Sequence, residues 1–346
     1  MNFNPGEIYF IQEFDPQTGR PTKYVKIGLV RGSRSTADRI KEHQTGNPRA
    51  LKETKLIQTP AVSFVERTLH QMFAENRITG GEWFIFTESE LNSCLEMAKA
   101  LVADVKKQES VFTAAVAFKQ KRSKKATIAP TKQVLALHKE YFKSDFIMKE
   151  LDGVIKKYEA KLDERAAAGD DVEEARSQKQ VTRPRFDEAT FRLAMPGIYK
   201  KFLIQGSKIK SQFKMTPNPQ YSFTLNAVAP KLETFISGFY GTIDQLSKNP
   251  KVLEVAKAKY SYIKGEYAKA EWEKEKALHQ IQLSCANNSG ITGVCTWVRT
   301  AVDETVFSLA TLKAQRPELY EKFLKFSTTT MRRTKEGRTP AAKKVR

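Results

Sequence analysis

The chain is 346 residues long and carries 59 Lys and Arg against 39 Asp and Glu, for a net charge of +20. Its length predicts two or three domains, each with residues enough for a core. No apolar run approaches a membrane span, and Met1-Asn2-Phe3-Asn4-Pro5 lacks the basic and apolar regions of a signal peptide. The expected setting is therefore cytoplasmic, with no membrane partner.

Three cysteines, Cys94, Cys285 and Cys295, are too sparse for a disulfide framework or a zinc site, and free thiols are expected. Charge is unevenly spread. Residues 1–92 hold 12 Lys/Arg and 11 Asp/Glu, a net +1, so +19 of the +20 lies beyond them. A field of that sign draws in polyanions without reading sequence, and a nucleic acid is the expected class of partner.

In chain order, Ile8-Tyr9-Phe10-Ile11 and Tyr24 to Val30 predict two strands joined by the polar turn Asp15 to Pro21. Side chains alternate between strand faces. With Val25, Ile27 and Leu29 toward the core, Lys26 and Gly28 face away, and Gly28 is expected to leave open surface beside Tyr9 for a phosphate backbone. Thr36 is the expected cap of a helix through Glu42, ended by Gly46-Asn47-Pro48, and a second helix runs from about Ala61 to Asn76. A four-residue step places Arg39 with His43, and Glu66 with His70, on common helix faces. Glu82-Trp83-Phe84 follows as a strand. Thr87 and Glu90 have the capping-box spacing and open a helix through Val105.

These motifs, in this order, resemble the GIY-YIG nuclease superfamily, in the branch with a KIG second motif and a GEWF ending. The match runs through Glu7-Ile8-Tyr9, Lys26-Ile27-Gly28, Arg39, Glu66 and Gly81-Glu82-Trp83-Phe84 and covers about residues 5–92. It departs from the superfamily at Glu7 for the leading Gly and Lys26 for the second Tyr, and its late Asn has no clear counterpart here. The resemblance implies a small α/β domain with a short, mainly antiparallel sheet flanked by helices. Glu66 would hold one divalent cation, Mg²⁺ or Mn²⁺, Arg39 would grip the scissile phosphate, and Tyr9 would act as general base or orient the water. Lys26 would lower the Tyr9 pKa, and His43 would relay the proton. Gly28, His70, Glu82 and Trp83 would support the site, His70 serving equally well as a packing residue. A solitary strand Tyr, or one helical Arg or Glu, is ordinarily packing or solvated surface; the joint pattern carries the argument.

Beyond the first domain, Lys119, Lys121, Arg122, Lys124 and Lys125 mark an expected basic linker within a bridge of residues 93–131. Helical patterns follow over 131–168, 186–204, 232–243 and 252–284, with a loop expected over 206–221. A short repeat is visible: Asp187-Glu188, Phe191 and Leu193-Ala194 recur as Asp303-Glu304, Phe307 and Leu309-Ala310. Pro196, Tyr199, Lys201 and Phe202 recur as Pro317, Tyr320, Lys322 and Phe323, displaced by five further residues. Two related helical units, 132–204 and 223–326, would form a basic clamp in which Lys201 and Lys322 reach phosphates. The tail from Arg332 to Arg346, in which Arg332 and Arg333 are candidate nucleic-acid contacts, is basic and expected to be disordered in isolation.

The fold class read from the sequence is α+β, a GIY-YIG-like domain followed by a mainly α-helical region. The function read is a divalent-metal-dependent DNA endonuclease of restriction, anti-phage defence or phage biology. Two other readings stay open: a nuclease-derived protein that only binds DNA or a partner, and an RNA-directed nuclease. Oligomeric state is open as well, a homo-oligomer included.

Overall fold

The computed structural model describes residues 3–32, 34–45, 47–73, 76–78, 82–167, 176–246 and 252–334. The first two apolar runs form the antiparallel hairpin of β1 (Gly6–Phe14) and β2 (Pro21–Arg31). The Asp15 carboxylate closes its turn by accepting from the backbone N–H groups of Gln17 and Thr18 at 2.9 and 2.8 Å. Gly19 supplies the φ of +67° that the turn requires. Then come α1 (Thr36–Gln44), β3 (Ala50–Thr59), α2 (Val62–Met72), β4 (Trp83–Ile85) and α3 (Glu88–Lys119). The sheet is antiparallel, in the order β3-β1-β2-β4. Ser35 caps α1 in a capping box with Asp38, in place of the expected Thr36, which is buried. α2 closes at Met72, short of Asn76, with the Phe73 N–H on the Leu69 carbonyl.

Beyond α3 the order is β5 (Thr127–Ile128), α4 (Lys132–Ala167), β6 (Arg176–Phe186), α5 (Glu188–Ala194), α6 (Pro196–Lys201) and β7 (Leu203–Met215). It continues with α7 (Leu225–Val228), α8 (Pro230–Gln245), α9 (Val252–Cys285), β8 (Gly290–Ile291), β9 (Cys295–Phe307), α10 (Leu309–Gln315), α11 (Pro317–Lys322) and β10 (Leu324–Thr334). The protein is thus α+β, with an antiparallel sheet and helices at the N-terminus and a mainly helical region after it.

Both faces of the first sheet are covered. Ile8, Phe10, Val25 and Ile27 pack against Val62, Val65 and Leu69 of α2 and Leu91, Cys94, Ala98, Val102 and Val105 of α3. Tyr9, Ile11, Val30 and Leu51 form a smaller cluster on the other face with Ile40 and Trp83. The first half of α3 therefore belongs to the first domain's core, and the boundary expected at residue 92 cuts through it. Trp272 of α9 joins the same core, its ring 4.9 Å from Phe64 and its Nε1 bonded to Asp104 at 2.5 Å. α9 runs antiparallel to α4: Tyr158 stacks on Tyr260, Lys274 reaches Asp145 at 2.6 Å, and Val134 clusters with Ile281.

The basic stretch expected as a loose linker is stitched down. Lys124 N–H donates to the Asn287 carbonyl, Ser123 N–H to that of Arg299, and β5 pairs with β8. The side chains of Lys119, Lys121, Arg122, Lys124 and Lys125 remain exposed. The expected loop over 206–221 is largely strand, since β7 runs to Met215 and pairs along its whole length with β9. The helix expected over 186–204 is two short helices broken at Met195-Pro196, followed by β7.

The repeat holds a single register, in which the expected five-residue displacement disappears. Phe186, Asp187, Phe191, Pro196, Tyr199, Phe202 and Leu203 correspond to Phe307, Ser308, Leu312, Pro317, Tyr320, Phe323 and Leu324. Asp187 and Ser308 cap their helices through the N–H of Thr190 and of Thr311. Met195 (φ −136°, ψ 58°) and Arg316 (φ −140°, ψ 62°) share one backbone conformation. The units interlock reciprocally: Asp187 N–H donates to the Phe323 carbonyl and Ser308 N–H to that of Phe202, at 2.8 and 2.9 Å. Phe186 stacks on Tyr320 as Phe307 stacks on Tyr199. The strand leaving each hairpin pairs with the strand leading into the other, β7 with β9 and β10 with β6. Arg332 and Arg333, expected in a disordered tail, have their backbone in β10; residues 335–346 and the Arg332 and Arg333 side chains lie outside what is described.

Candidate active site

β4 pairs with β2 only over Tyr24 to Lys26, and among the described residues no strand covers the edge of β2 opposite β1 from Ile27 onward. Side chains and loop backbone complete that edge. Ile27 N–H donates to the Glu82 carbonyl at 3.0 Å, and the Ile27 carbonyl is 2.9 Å from His70 Nε2, which must carry the proton in that bond. Glu66 lies one turn before His70 on α2, while α1 brings Arg39 and His43 to the face that Tyr9 occupies.

Tyr9 and Gly28 are register partners, and a Cβ at Gly28 would overlap the Tyr9 ring. The surface expected to stay open for a phosphate is therefore filled by the phenol, and Tyr9 is fully buried. Burial pushes the Tyr9 pKa above its ordinary value against the pull of Arg39, and the nearby Glu82 adds to the rise. The Arg39 guanidinium lies beside the hydroxyl without completing a hydrogen bond of good geometry, and the buried oxygen has no other partner among the described residues. The Lys26 ammonium, expected to serve Tyr9, instead bonds Glu82 at 2.5 Å and sits 5.9 Å from the centre of the Trp83 ring. Burial opposes ionisation of Glu82, but the Lys26 bond and charge outweigh it, and that carboxyl titrates below its ordinary value.

Glu66 behaves in the opposite way. Burial, then the charge of Glu82, pushes it up to about 7, against the pull of Arg31, Lys26 and Arg77. His43 is half-buried, and its pKa is lowered by burial and by Lys26 and Arg39, so the ring is neutral near pH 7. Its Nε2 is buried and has no hydrogen-bond partner among the described residues. Arg39 bonds Glu42 at 2.5 Å through one nitrogen. His70 packs on Phe84, with ring centres 5.2 Å apart, and burial lowers its pKa too; its bonded Nε2 makes it a brace for the β2 edge.

Tyr9, Lys26, Gly28, Arg39, His43, Glu66, His70, Glu82 and Trp83 are thus gathered in one place. Lys201 and Lys322 sit at matching positions of the repeat, exposed, on units whose aromatic core is separate from that of the first domain. The sequence reading did not anticipate Arg31 and Arg77 near Glu66. It also missed a cleft of about 340 Å³ beside the site, lined by Glu13, Tyr24, His43, Asn47, Arg49, Ile78 and Trp83. Tyr24 carried a usable signal, since it shares a strand face with Lys26 and Gly28.

The small N-terminal α+β domain thus gathers partly buried carboxyls, a guanidinium and an imidazole nitrogen without a partner among the described residues at one sheet edge. The profile of the T5orf172 domain, a nuclease-like, phage-related domain, matches residues 6–99. No curated protein and no solved structure matches the chain.

Proposed function

We propose that the protein is an endonuclease of the GIY-YIG type that hydrolyses DNA phosphodiester bonds with the help of Mg²⁺ or Mn²⁺. One observation carries the reading: Glu66, a carboxyl that its surroundings hold near pKa 7, shares a cluster with Arg39 and with an imidazole nitrogen that lacks a partner. A core has no use for such groups, and clustered perturbed groups are typical of reaction sites.

The donor set fits a hard cation. Among the described residues no three His, Cys, Asp or Glu side chains form a chelating group, and one carboxylate plus phosphate oxygens and retained waters is the habit of Mg²⁺. A cation bound at Glu66 supplies charge neutralisation at the phosphoryl oxygens and a more acidic water. Arg39 presents its fork to the scissile phosphate, for which Glu42 is a place-holder. His43 takes the proton of the attacking water at Nε2, being neutral and without a competing donor. Burial removes Tyr9 from the role of base and leaves its oxygen to accept from Arg39, or its O–H to donate to the water, as an orienting group. Lys26 keeps Glu82 ionised, which holds Glu66 ready for a cation.

A derivative that only bound DNA would have no need of an unpartnered His43 or a high-pKa Glu66, which favours the catalytic reading. Restriction, anti-phage defence or phage biology is the setting we infer from the phage-related domain. The test is incubation of the full chain with linear duplex DNA, single-stranded DNA and RNA, with Mg²⁺ and with chelator. Duplex DNA should be cut with Mg²⁺ alone. Cutting of RNA with DNA spared would overturn the substrate class, and no cutting under Mg²⁺ or Mn²⁺ would overturn the activity.

A further inference from the structure

β6 and β10 form a two-stranded sheet that no other strand among the described residues joins. Arg176, Lys179, Arg183, Arg185, Lys325, Arg332 and Arg333 lie in the two strands, and neither contains an Asp or Glu. Their register is unbroken from Leu324 opposite Phe186 to Thr334 opposite Arg176. Side-chain positions alternate along a strand and cross-strand partners share a face. The basic positions 179, 183, 185, 325 and 333 therefore fall on one face, interspersed with those of Ser177, Val181, Ser327, Thr329 and Met331. The other face carries the positions of Thr182, Thr328, Thr330, Gln178 and Gln180, the pair Pro184 and Phe326, and, toward the open end of the ribbon, Arg176 and Arg332. Phe326 is 72% exposed.

Protection of open sheet edges by charge would account for some of this. The pseudo-symmetric partner ribbon shows that such protection does not require one sign. β7 and β9 carry Lys208, Lys210 and Lys214 along with Asp303 and Glu304, and Lys208 is paired with Glu304. One-signed charge is confined to the β6–β10 copy.

We propose that the β6–β10 ribbon is an arm that lies in a groove of duplex DNA and holds the substrate for the N-terminal site; the idea rests on the nuclease reading for the identity of its ligand. Each strand has 11 residues, about 37 Å at roughly 3.4 Å per residue and close to one turn of the duplex. A two-stranded ribbon is of a width that the roughly 12 Å major groove admits. The basic face meets phosphates, the Thr and Gln positions meet base edges, and exposed Phe326 beside Pro184 is an apolar wedge of the kind that unstacks a base step.

Binding of the full chain to a 30-base-pair duplex in chelator, across a salt series, separates affinity from cutting. Replacing Lys179, Arg183, Arg185 and Arg333 together by Ala should weaken binding at least tenfold near physiological salt. It should also flatten the log-log salt dependence by about 3 to 4, at roughly 0.9 per lost phosphate contact. Phe326→Ala should leave the salt slope alone and reduce bending of the duplex, read by energy transfer between its ends. A circular-dichroism melt matching wild type secures the fold of both variants. Unchanged affinity and slope in the fourfold variant would overturn the arm even if the protein cuts DNA. Full effects in a protein that never cuts would leave the arm standing and remove the nuclease. An equal loss on an RNA duplex, whose major groove is too deep and narrow for a ribbon, would also overturn groove insertion.

Discussion

Arg299 and Glu66 are both ionisable groups taken out of water, and their surroundings treat them differently. Arg299 is 1% exposed and lies 4.1 Å above the Trp297 ring. Its Nη1 donates to the Phe118 carbonyl at 2.7 Å, and its Nη2 to those of Ala286 and Asn288 at 2.7 and 3.0 Å. Those carbonyls sit at the C-terminal ends of α3 and α9, where acceptors are left over and the helix dipole favours a cation. Three of its five guanidinium donors are thus engaged by backbone carbonyls, while Nε lacks an acceptor among the described residues. Among the described residues Glu66 has no such set of hydrogen-bond partners, and its pKa is pushed up to about 7. The histidines repeat the contrast: His138 is buried with Nδ1 3.1 Å from Tyr221 Oη and Nε2 2.9 Å from the Thr216 carbonyl, whereas Nε2 of His43 has no partner among the described residues. A buried polar group fully bonded to its own chain is structural; one left open beside others like it waits for a ligand.

The sharpest way to break that distinction is to remove one group from each side. Glu66→Gln should lower the cleavage rate by about 10³-fold while DNA affinity in chelator stays within about twofold, and Arg39→Lys should lose about 10²-fold. Arg299→Ala should leave the turnover of folded protein unchanged and cost about 3 kcal/mol in a denaturant titration, because buried carbonyls lose their donor. A large rate loss in Arg299→Ala with native stability would erase the distinction.

Trp272→Ala tests how far the two halves are one body. It should destabilise the first domain by about 3 kcal/mol, since the ring fills that domain's core from α9. A fragment ending near residue 118 should melt well below the full chain for the same reason. Gly28→Ala should cost about 1–3 kcal/mol, because the added methyl meets the Tyr9 ring. No loss of stability would mean that the space above Gly28 is open after all.

The smallest expected effect is on stability against pH. The Glu66 carboxyl titrates near 7 in the folded chain and at an ordinary 4.5 unfolded, so the native state holds the proton more tightly. Its contribution is fully present below pH 4.5 and is lost as pH rises through 7. Without divalent cation, Glu66→Gln should therefore be more stable than wild type at pH 8, by about 1–2 kcal/mol after allowance for solvent screening, and equal to it at pH 4. A variant less stable at pH 8 would show that the ionised carboxylate is satisfied by its own chain.

Much of the first domain was legible because its signals are local. The turn residues at Asp15 and Gly19, the four-residue steps on α1 and α2 and the capping box at Thr87 all act within a few residues. The relation of Lys26 to Glu82, and of Trp272 to Phe64, depends on long-range packing that no spacing encodes. β7 and β9 escaped the sequence reading for a related reason: beyond Arg299 the ribbon is largely exposed on both faces, with Ile204, Val302 and Val306 in solvent, and that stretch has no alternation of apolar and polar residues to detect. The repeat was misread in part because a chance match of Asp187-Glu188 to Asp303-Glu304 competed with the true partner of Asp187, the cap Ser308. Caps exchange Asp for Ser freely, since either oxygen satisfies the same N–H.

The central claim, that Glu66 is kept in a high-pKa state for a cation, is tested most directly by calorimetric titration of Mn²⁺ into the full chain at pH 7 in buffers of different ionisation enthalpy. Wild type should bind one ion near this site with release of roughly half a proton, as expected for a carboxyl half protonated before the metal arrives. Glu66→Gln should lose both the binding and the proton. Binding of equal strength by the variant, or binding by wild type with no proton released, would contradict the account.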